Sequence, residues 1–521
     1  MRCGPSGRNH NERPGDNMAI DITGTNGDDV LNDAPANPAA SVNVTGLAGF
    51  DTIYGSTNAD TLFGNAGDDE IYGNGGSDTI YGGQGNDYLE IDGIAGSTTE
   101  SELAIRAKVV GGQGLDTIVI APGFVGQVTV YGGSESADAQ DQGDNITVNL
   151  GTNSYAEIYS NGGNDFVELG GSVREIAGEL SSRFYVHAGQ GNDQVYGFAG
   201  SDSTIYGGVG ADIVDVGALN AITVYGGNGN TDAVDGNDQI FVSIGTDDFV
   251  ADDFVPTALI TGNGGNDSIT LVSTSEMGVQ ASIYGGQGTD FISAGNLASN
   301  SYVAGGVGSD VISAFVVGEN VSIVGGNGTT DPTDGTDVIF VGVGEDASAQ
   351  VFGNGGDDFL FVYGSGSSTV YGGAGDDTLV VSNQNGDNNF FPESVVLYGG
   401  QGSDLFQING RQDDRDIAPI VRIADFNFDE DKIAGDQVND LVAISGRANN
   451  FQDILNLSAG TLSNDNAAIV TVSSGALAGT YLVYDSSSGE QVVNITGYTG
   501  TADADVFTDP VGLPGTAELL V

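Results

Sequence analysis

Five aspartates, Asp51, Asp60, Asp69, Asp78 and Asp87, recur at a constant spacing of nine residues. Each takes the sixth place of a unit Gly-Gly-x-Gly-x-Asp-x-U-x, in which U is apolar: Ile53, Leu62, Ile71, Ile80 and Leu89. A carboxylate embedded in glycines suits the binding of a hard divalent cation. Glycine adopts positive φ readily, so a tight turn can present several carbonyl oxygens together. Ca2+ takes six to eight oxygen ligands at roughly 2.3–2.6 Å, more than one such turn supplies. Two stacked turns can supply them, so a metal held between units requires a coil. The x-U-x segment reads as a short strand whose central side chain points inward.

Past Asp87 the unit persists while its spacing opens to between 19 and 29 residues. Segments such as GGQGLDTIVI, NGGNDFVEL and GGQGSDLFQI carry Asp116, Asp144, Asp165, Asp193, Asp212, Asp238, Asp267, Asp290, Asp310, Asp337, Asp358, Asp377 and Asp404. Asp202 is a further candidate, nine residues after Asp193. Between units lies a second strand ending before Gly-Gly, as in QVTVYGG, AITVYGG and SVVLYGG. The expected fold is therefore all-β, a parallel solenoid with two strands per turn. One edge is a column of Gly/Asp turns that begins at Asp29, and the other is a variable loop. Near residues 51–87 both edges carry the motif. Counting one aspartate per turn gives 17 stacked turns. Three turns carry an expanded acidic loop: Asp138, Asp141, Asp144, then Asp232, Asp235, Asp238, then Asp331, Asp334, Asp337. These recur at offsets of 94 and 99 residues, as a duplicated four-turn cassette would. They read either as extra cation sites or as solvated loops.

The nonapeptide resembles the calcium-binding repeat of the RTX (repeats-in-toxin) family. The resemblance implies a parallel β-roll or β-helix with Ca2+ in its turns, and a protein that is secreted. Residues 411–521, including RIADFNFDEDKIAG and YLVYDSSSGE, look like the cap that follows such repeats in serralysin-type proteins. The expected division is a disordered tail or mis-assigned start at 1–17, a solenoid at 18–410 and a small β-rich cap with a secretion-signal region at 411–521. In the family, export uses type I secretion machinery and an uncleaved carboxyl-terminal signal, a role compatible with TADADVFTDPVGLPGTAELLV. Asp425-x-Asn427-x-Asp429-x-Asp431 has EF-hand spacing. However, Glu430 stands where that loop needs glycine and Asp436 where it needs glutamate, so a capping turn is expected there.

Composition narrows the function classes. The formal charge is −60, from 72 acidic and 12 Lys/Arg residues. This leaves no basic face for nucleic acid or for anionic lipid. No apolar run approaches the 18–20 residues of a transmembrane helix, and one cysteine, Cys3, forms no disulfide framework. Hydrophobic residues make up 39% of the chain in regular short bursts, which argues against disorder. Stacked carboxylates repel one another. One Ca2+ in each of 16 gaps between turns would bring the charge from −60 to about −28. Folding is thus expected to be coupled to calcium.

No enzyme is expected. The repeats begin close to Met18, His10 and His187 are the only histidines, and neither HExxH nor G-x-S-x-G occurs. A polysaccharide lyase or epimerase needs a base against a uronate, and the repeat body offers only Arg106, Lys108, Arg174 and Arg183. The tyrosines before Gly-Gly, such as Tyr131, Tyr206, Tyr225 and Tyr371, read as a stacked ladder or as a sugar-binding surface. The expected role is extracellular and structural, as in a surface layer or matrix, through self-association or contact with cell-surface polysaccharide. An adhesin or carbohydrate-binding module is the alternative.

Overall fold

A computed structural model describes residues 19–32, 40–92, 105–135, 141–171, 182–229, 235–245, 255–327, 334–382, 394–409, 421–436, 438–462, 466–475, 477–486 and 489–512. Asp138, Asp232, Asp331, Arg174 and the segments 1–17 and 513–521 lie outside the described residues. The chain divides into two compact units, Met1–Gly265 and Asn266–Val521. This division falls inside the stretch read from sequence as one solenoid.

In the first unit each turn gives one strand to each of two parallel sheets. Val42–Ala48, Thr61–Ala66 and Thr79–Gln84 lie side by side in one sheet. Thr52–Tyr54, Glu70–Tyr72 and Tyr88–Ile91 do so in the other. The pairing is in register, with Leu62 opposite Ile80 and Ile53 opposite Ile71. Strand side chains alternate between faces, so every U position falls into one inner column. Ile53, Leu62, Ile71, Ile80 and Leu89 are all fully buried.

The turns explain the glycine pattern. The second and fourth positions are left-handed, for example Asn65 (φ 78°) with Gly67 (φ 123°), and Gly189 (φ 113°) with Gly191 (φ 139°). Asparagine tolerates this region, so it shares the second position with glycine. At both positions a Cβ would approach a carbonyl oxygen of the turn before, that of Asn161 for Gly189 and that of Gly163 for Gly191.

The second unit repeats this construction, from Ser268–Ser273 to Leu405–Asn409. Both sheets continue past residue 410 through Arg422–Ile423 and Lys432–Ala434. Strands Gly489–Asn494 and Phe507–Thr508 then pair with these two, covering the open edges at Arg422 and at Ile433–Ala434. Outside them, strands Leu441–Gly446 and Ala467–Val472 are parallel, and the latter joins an antiparallel hairpin, Gly479–Ser486 with Gly489–Asn494. Helix Phe451–Leu462 packs Phe451, Ile454, Leu455 and Leu462 against Val470, Tyr481 and Val483. The segment read as a β-rich cap therefore also contains a helix.

Candidate metal centre

The turn aspartates form a hydrogen-bonded ladder. The backbone N–H of each donates to Oδ1 of the aspartate one turn on. In the first unit the ladder runs from Asp29 through Asp51, Asp69, Asp87, Asp116, Asp144, Asp165, Asp193 and Asp212 to Asp238, at 2.7–2.8 Å. In the second it runs from Asp267 through Asp290, Asp310, Asp337, Asp358, Asp377 and Asp404 to Asp431, at 2.7–3.1 Å. These rungs are almost completely buried except Asp29, whose Oδ2 accepts from the Thr25 N–H and hydroxyl.

One oxygen per rung has no such role. Oδ2 of Asp51, Asp69, Asp87, Asp116, Asp144, Asp165, Asp193 and Asp212, and of Asp290, Asp310, Asp337, Asp358 and Asp377, is buried and accepts no hydrogen bond. It lies in a cradle between two turns. A Cβ on Gly64 would collide with Asp69 Oδ2 and with Gly82 O of the next turn, and one on Gly353 with Asp358 Oδ2 and Gly372 O. Ser160 and Ala188 hold that place in two turns, both fully buried. Each cradle thus sets an anionic oxygen from one turn beside a carbonyl oxygen from the next. Burying a charged oxygen without a donor is strongly unfavourable.

The protonation behaviour reflects this. Burial pushes Asp69 up to about 6, Asp87 to about 7, Asp116 to about 8, and Asp144 and Asp165 to about 9. In the second unit burial raises Asp310 to about 7, Asp377 to about 8 and Asp337 to about 9. The ladder N–H opposes the shift at each rung, and neighbouring carboxylates reinforce it. A cation in the cradle removes both the desolvation and the repulsion.

The opposite edge carries a shorter column. Asp60 Oδ1 accepts from Val42 N–H, and Asp78 Oδ1 from Asp60 N–H. A Cβ on Gly55 would meet Asp60 Oδ2 at 2.8 Å and Gly73 O at 2.6 Å, a similar cradle in which Oδ2 accepts from Ser56 N–H. Elsewhere along this edge a serine hydroxyl performs the carboxylate's backbone role. Ser154 accepts from Gly126 N–H, Ser203 from Phe184 N–H and Ser301 from Ala281 N–H. A neutral hydroxyl leaves no charge to compensate at these three turns. Sequence reasoning missed these serines because loops of unequal length hide their periodicity.

Asp202 is placed differently from the other candidates. It is exposed, left-handed at φ 55°, and has no place in the ladder. The neighbouring Ser203 is buried and takes the rung. Ser203→Ala is expected to cost about 1–3 kcal/mol by stranding the Phe184 N–H. Asp202→Asn is expected to stay within about 0.5 kcal/mol of the parent. Thermal melts in calcium check both.

Asp425 and Asp431 end the ladder and do not form an EF-type loop. The Asp425 carboxylate accepts from Gly399 and Gly400 N–H, and Asp431 Oδ1 from Asp404 N–H. Asp429 instead accepts from Thr501 N–H.

Among the described residues no group of three or more Asp, Glu, His or Cys side chains converges on a point. A cation here therefore relies on backbone carbonyls for most of its ligands, as the stacked-turn argument requires. The RTX calcium-binding nonapeptide repeat matches residues 43–69, 54–89, 185–214, 201–220, 282–296 and 352–386. The chain thus carries RTX calcium-binding repeats in both units. No curated protein and no solved structure matches it. The RTX matches end at residue 386 and do not extend to the cap.

RTX repeats bind Ca2+, and the cradles suit that ion: their donors are carboxylate and carbonyl oxygen, without sulfur or nitrogen. When bound, calcium supplies charge neutralisation between turns. The chain's own residues do the rest. The left-handed glycines aim the carbonyls, the ladder N–H groups orient each carboxylate, and the U column holds the turns in register. RTX repeats are typical of secreted proteins. No described helix is long and apolar enough to cross a membrane.

Proposed function

We propose that this RTX chain is a structural component of the cell surface or extracellular matrix, comparable to a surface-layer protein, and that it performs no catalysis. It leaves the cell through type I machinery and folds on meeting external calcium. The observation that carries the reading is the run of buried Oδ2 atoms without a hydrogen-bond donor, in a chain of formal charge −60. Low calcium keeps such a polymer expanded, and millimolar calcium lets it close.

The side chains that other readings need are engaged elsewhere. Lys108 forms an ion pair with Glu135 and lies over the rings of Tyr81 and Tyr131. Arg183 stacks on Tyr155, 4.9 Å from the ring centroid. His187 is half-buried and stacks on Tyr206. Of the described basic residues of the repeat body, Lys108 and Arg183 are thus engaged with neighbouring side chains, and Arg106 is exposed. A sugar-binding platform needs open ring faces, and the tyrosine rings face one another. Tyr131–Tyr159, Tyr206–Tyr225, Phe352–Tyr371 and Tyr371–Tyr398 stack at 4.8–5.2 Å with planes within 14° of parallel.

Sedimentation and electron microscopy across a calcium titration test the proposal. Ordered sheets or filaments appearing with calcium are the expected result. Persistent monomers that bind a glycan array would replace it with the adhesin reading. Release of unsaturated uronates from alginate or pectin would replace it with an enzyme.

A further inference from the structure

The three turns with expanded loops differ from the other rungs in their chemistry. Each places an aspartate three residues before the rung: Asp141 before Asp144, Asp235 before Asp238, and Asp334 before Asp337. Elsewhere that place holds residues such as Ala66, Gln84, Gly162 and Val209. The Oδ2 atoms of these extra aspartates are buried. Each stands over the second glycine of its turn, so a Cβ on Gly133, Gly227 or Gly326 would collide with it. Their Oδ1 atoms are tied down by the N–H of the following residue, at 3.0 Å from Gln142, 2.9 Å from Gly236 and 2.9 Å from Gly335. These carboxylates are therefore fixed in place along the turn.

A second, independent feature converges on the same spot. The next turn places an asparagine at its left-handed second position: Asn161, Asn263 and Asn354. Asn161 donates to Ser134 O, and the Asn263 amide bridges Gly227 N–H and Gly229 O. Asn354 is 7% exposed, and neither its amide oxygen nor its amide nitrogen has a hydrogen-bond partner. Its amide nitrogen lies 3.1 Å from the Cβ position of Gly326, the point that Asp334 Oδ2 also overhangs, so the asparagine lines the site as a polar neighbour of that carboxylate. The rung Asp337, fully buried, adds its own undonated Oδ2 in the same turn. Asp144 does the same in the first expanded turn.

We infer that the expanded turns form a second class of divalent-cation site, held by two carboxylates of one turn: Asp141 with Asp144, Asp235 with Asp238, and Asp334 with Asp337. An ordinary rung offers one. The inference rests on the calcium-filled ladder. A hard cation binds more tightly as the charge count of its ligands rises, so these three sites fill first. Repulsion by Asp141 on Asp116, Asp144 and Asp165, by Asp235 on Asp212, and by Asp334 on Asp310, Asp337 and Asp358 places the extra charge within reach of neighbouring rungs. Each duplicated cassette thereby carries its own early site, from which stacking spreads to adjacent turns.

Calorimetric titration of the full chain with calcium tests this. The unaltered chain should show a tight class of three sites ahead of a larger weak class. The triple variant Asp141→Asn, Asp235→Asn, Asp334→Asn should lose the tight class, those three sites weakening ~10-fold or more and joining the weak class, because each keeps its rung carboxylate. Each single substitution should remove one tight site, so three separate counts remain if the triple variant fails to fold. A tight class unchanged in number and affinity in the single variants overturns the inference, as does uptake by the parent in one uniform class. Absence of calcium uptake by the parent would instead overturn the ladder reading on which the inference rests.

Discussion

Stripped of calcium, the chain is expected to lose its strand signal at pH 7.5 and to recover it on acidification towards pH 4. A rung such as Asp116 or Asp377, which titrates near 8 when folded, titrates near 3.8 when unfolded. The folded chain therefore holds that proton more tightly. The stability this contributes is complete below about pH 4 and is lost as pH rises through the folded values of about 6 to 9. At neutral pH each buried rung then opposes folding by a few kcal/mol, at ~1.4 kcal/mol per pH unit. A handful of rungs outweighs the ~5–15 kcal/mol that holds an ordinary domain together. Calcium removes the penalty at neutral pH and protons remove it in acid. Circular dichroism in excess chelator, scanned from pH 8 to 4, checks the sign. A calcium-free chain that keeps its strand signal at pH 7.5 and loses it on acidification would have the opposite sign.

Gly191→Val is expected to be among the most damaging single substitutions. Gly191 is left-handed at φ 139°, and any Cβ there collides with the Gly163 carbonyl one turn back. A β-branched side chain adds backbone strain of about 1–3 kcal/mol to a clash that only separation of the turns can relieve. Turns are stabilised by their neighbours, so the loss spreads to the adjacent rungs Asp165 and Asp193. The variant should bind fewer calcium ions and unfold at a lower chelator concentration than the parent. Gln190→Ala, in the same turn with an exposed and non-left-handed residue, is its control and should match the parent. Indistinguishable chelator midpoints for Gly191→Val and Gln190→Ala would show that the turns are not packed as described.

The column was legible because the solenoid writes itself as spacing: the Gly-x-Asp-x-U core survives even where gaps reach 29 residues. Spacing alone misled at Asp202. A shift of one residue along a strand exchanges inside for outside, and Ser203 is the one that turns inward. Asp431 reads as part of the cap because the glycine repeats stop after Asp404 and RIADFNFDEDKIAG resembles the segment that follows such repeats. Its interval of 27 residues from Asp404 equals the one from Asp377 to Asp404, and that repeat was the available signal. Helix Phe451–Leu462 also left a trace, with Phe451, Ile454 and Leu455 at helical intervals. That trace lay in a segment being read for strands. The serine-capped edge was not legible, because its hydroxyls answer backbone groups set by loop length rather than by any motif.

The most direct test is a high-resolution diffraction map of the protein grown in millimolar calcium, with anomalous differences collected. A calcium peak is expected in successive cradles, within roughly 2.3–2.6 Å of both the rung Oδ2 and the first-residue carbonyl of the next turn. Well-ordered cradles in which those oxygens meet only water or one another would contradict it.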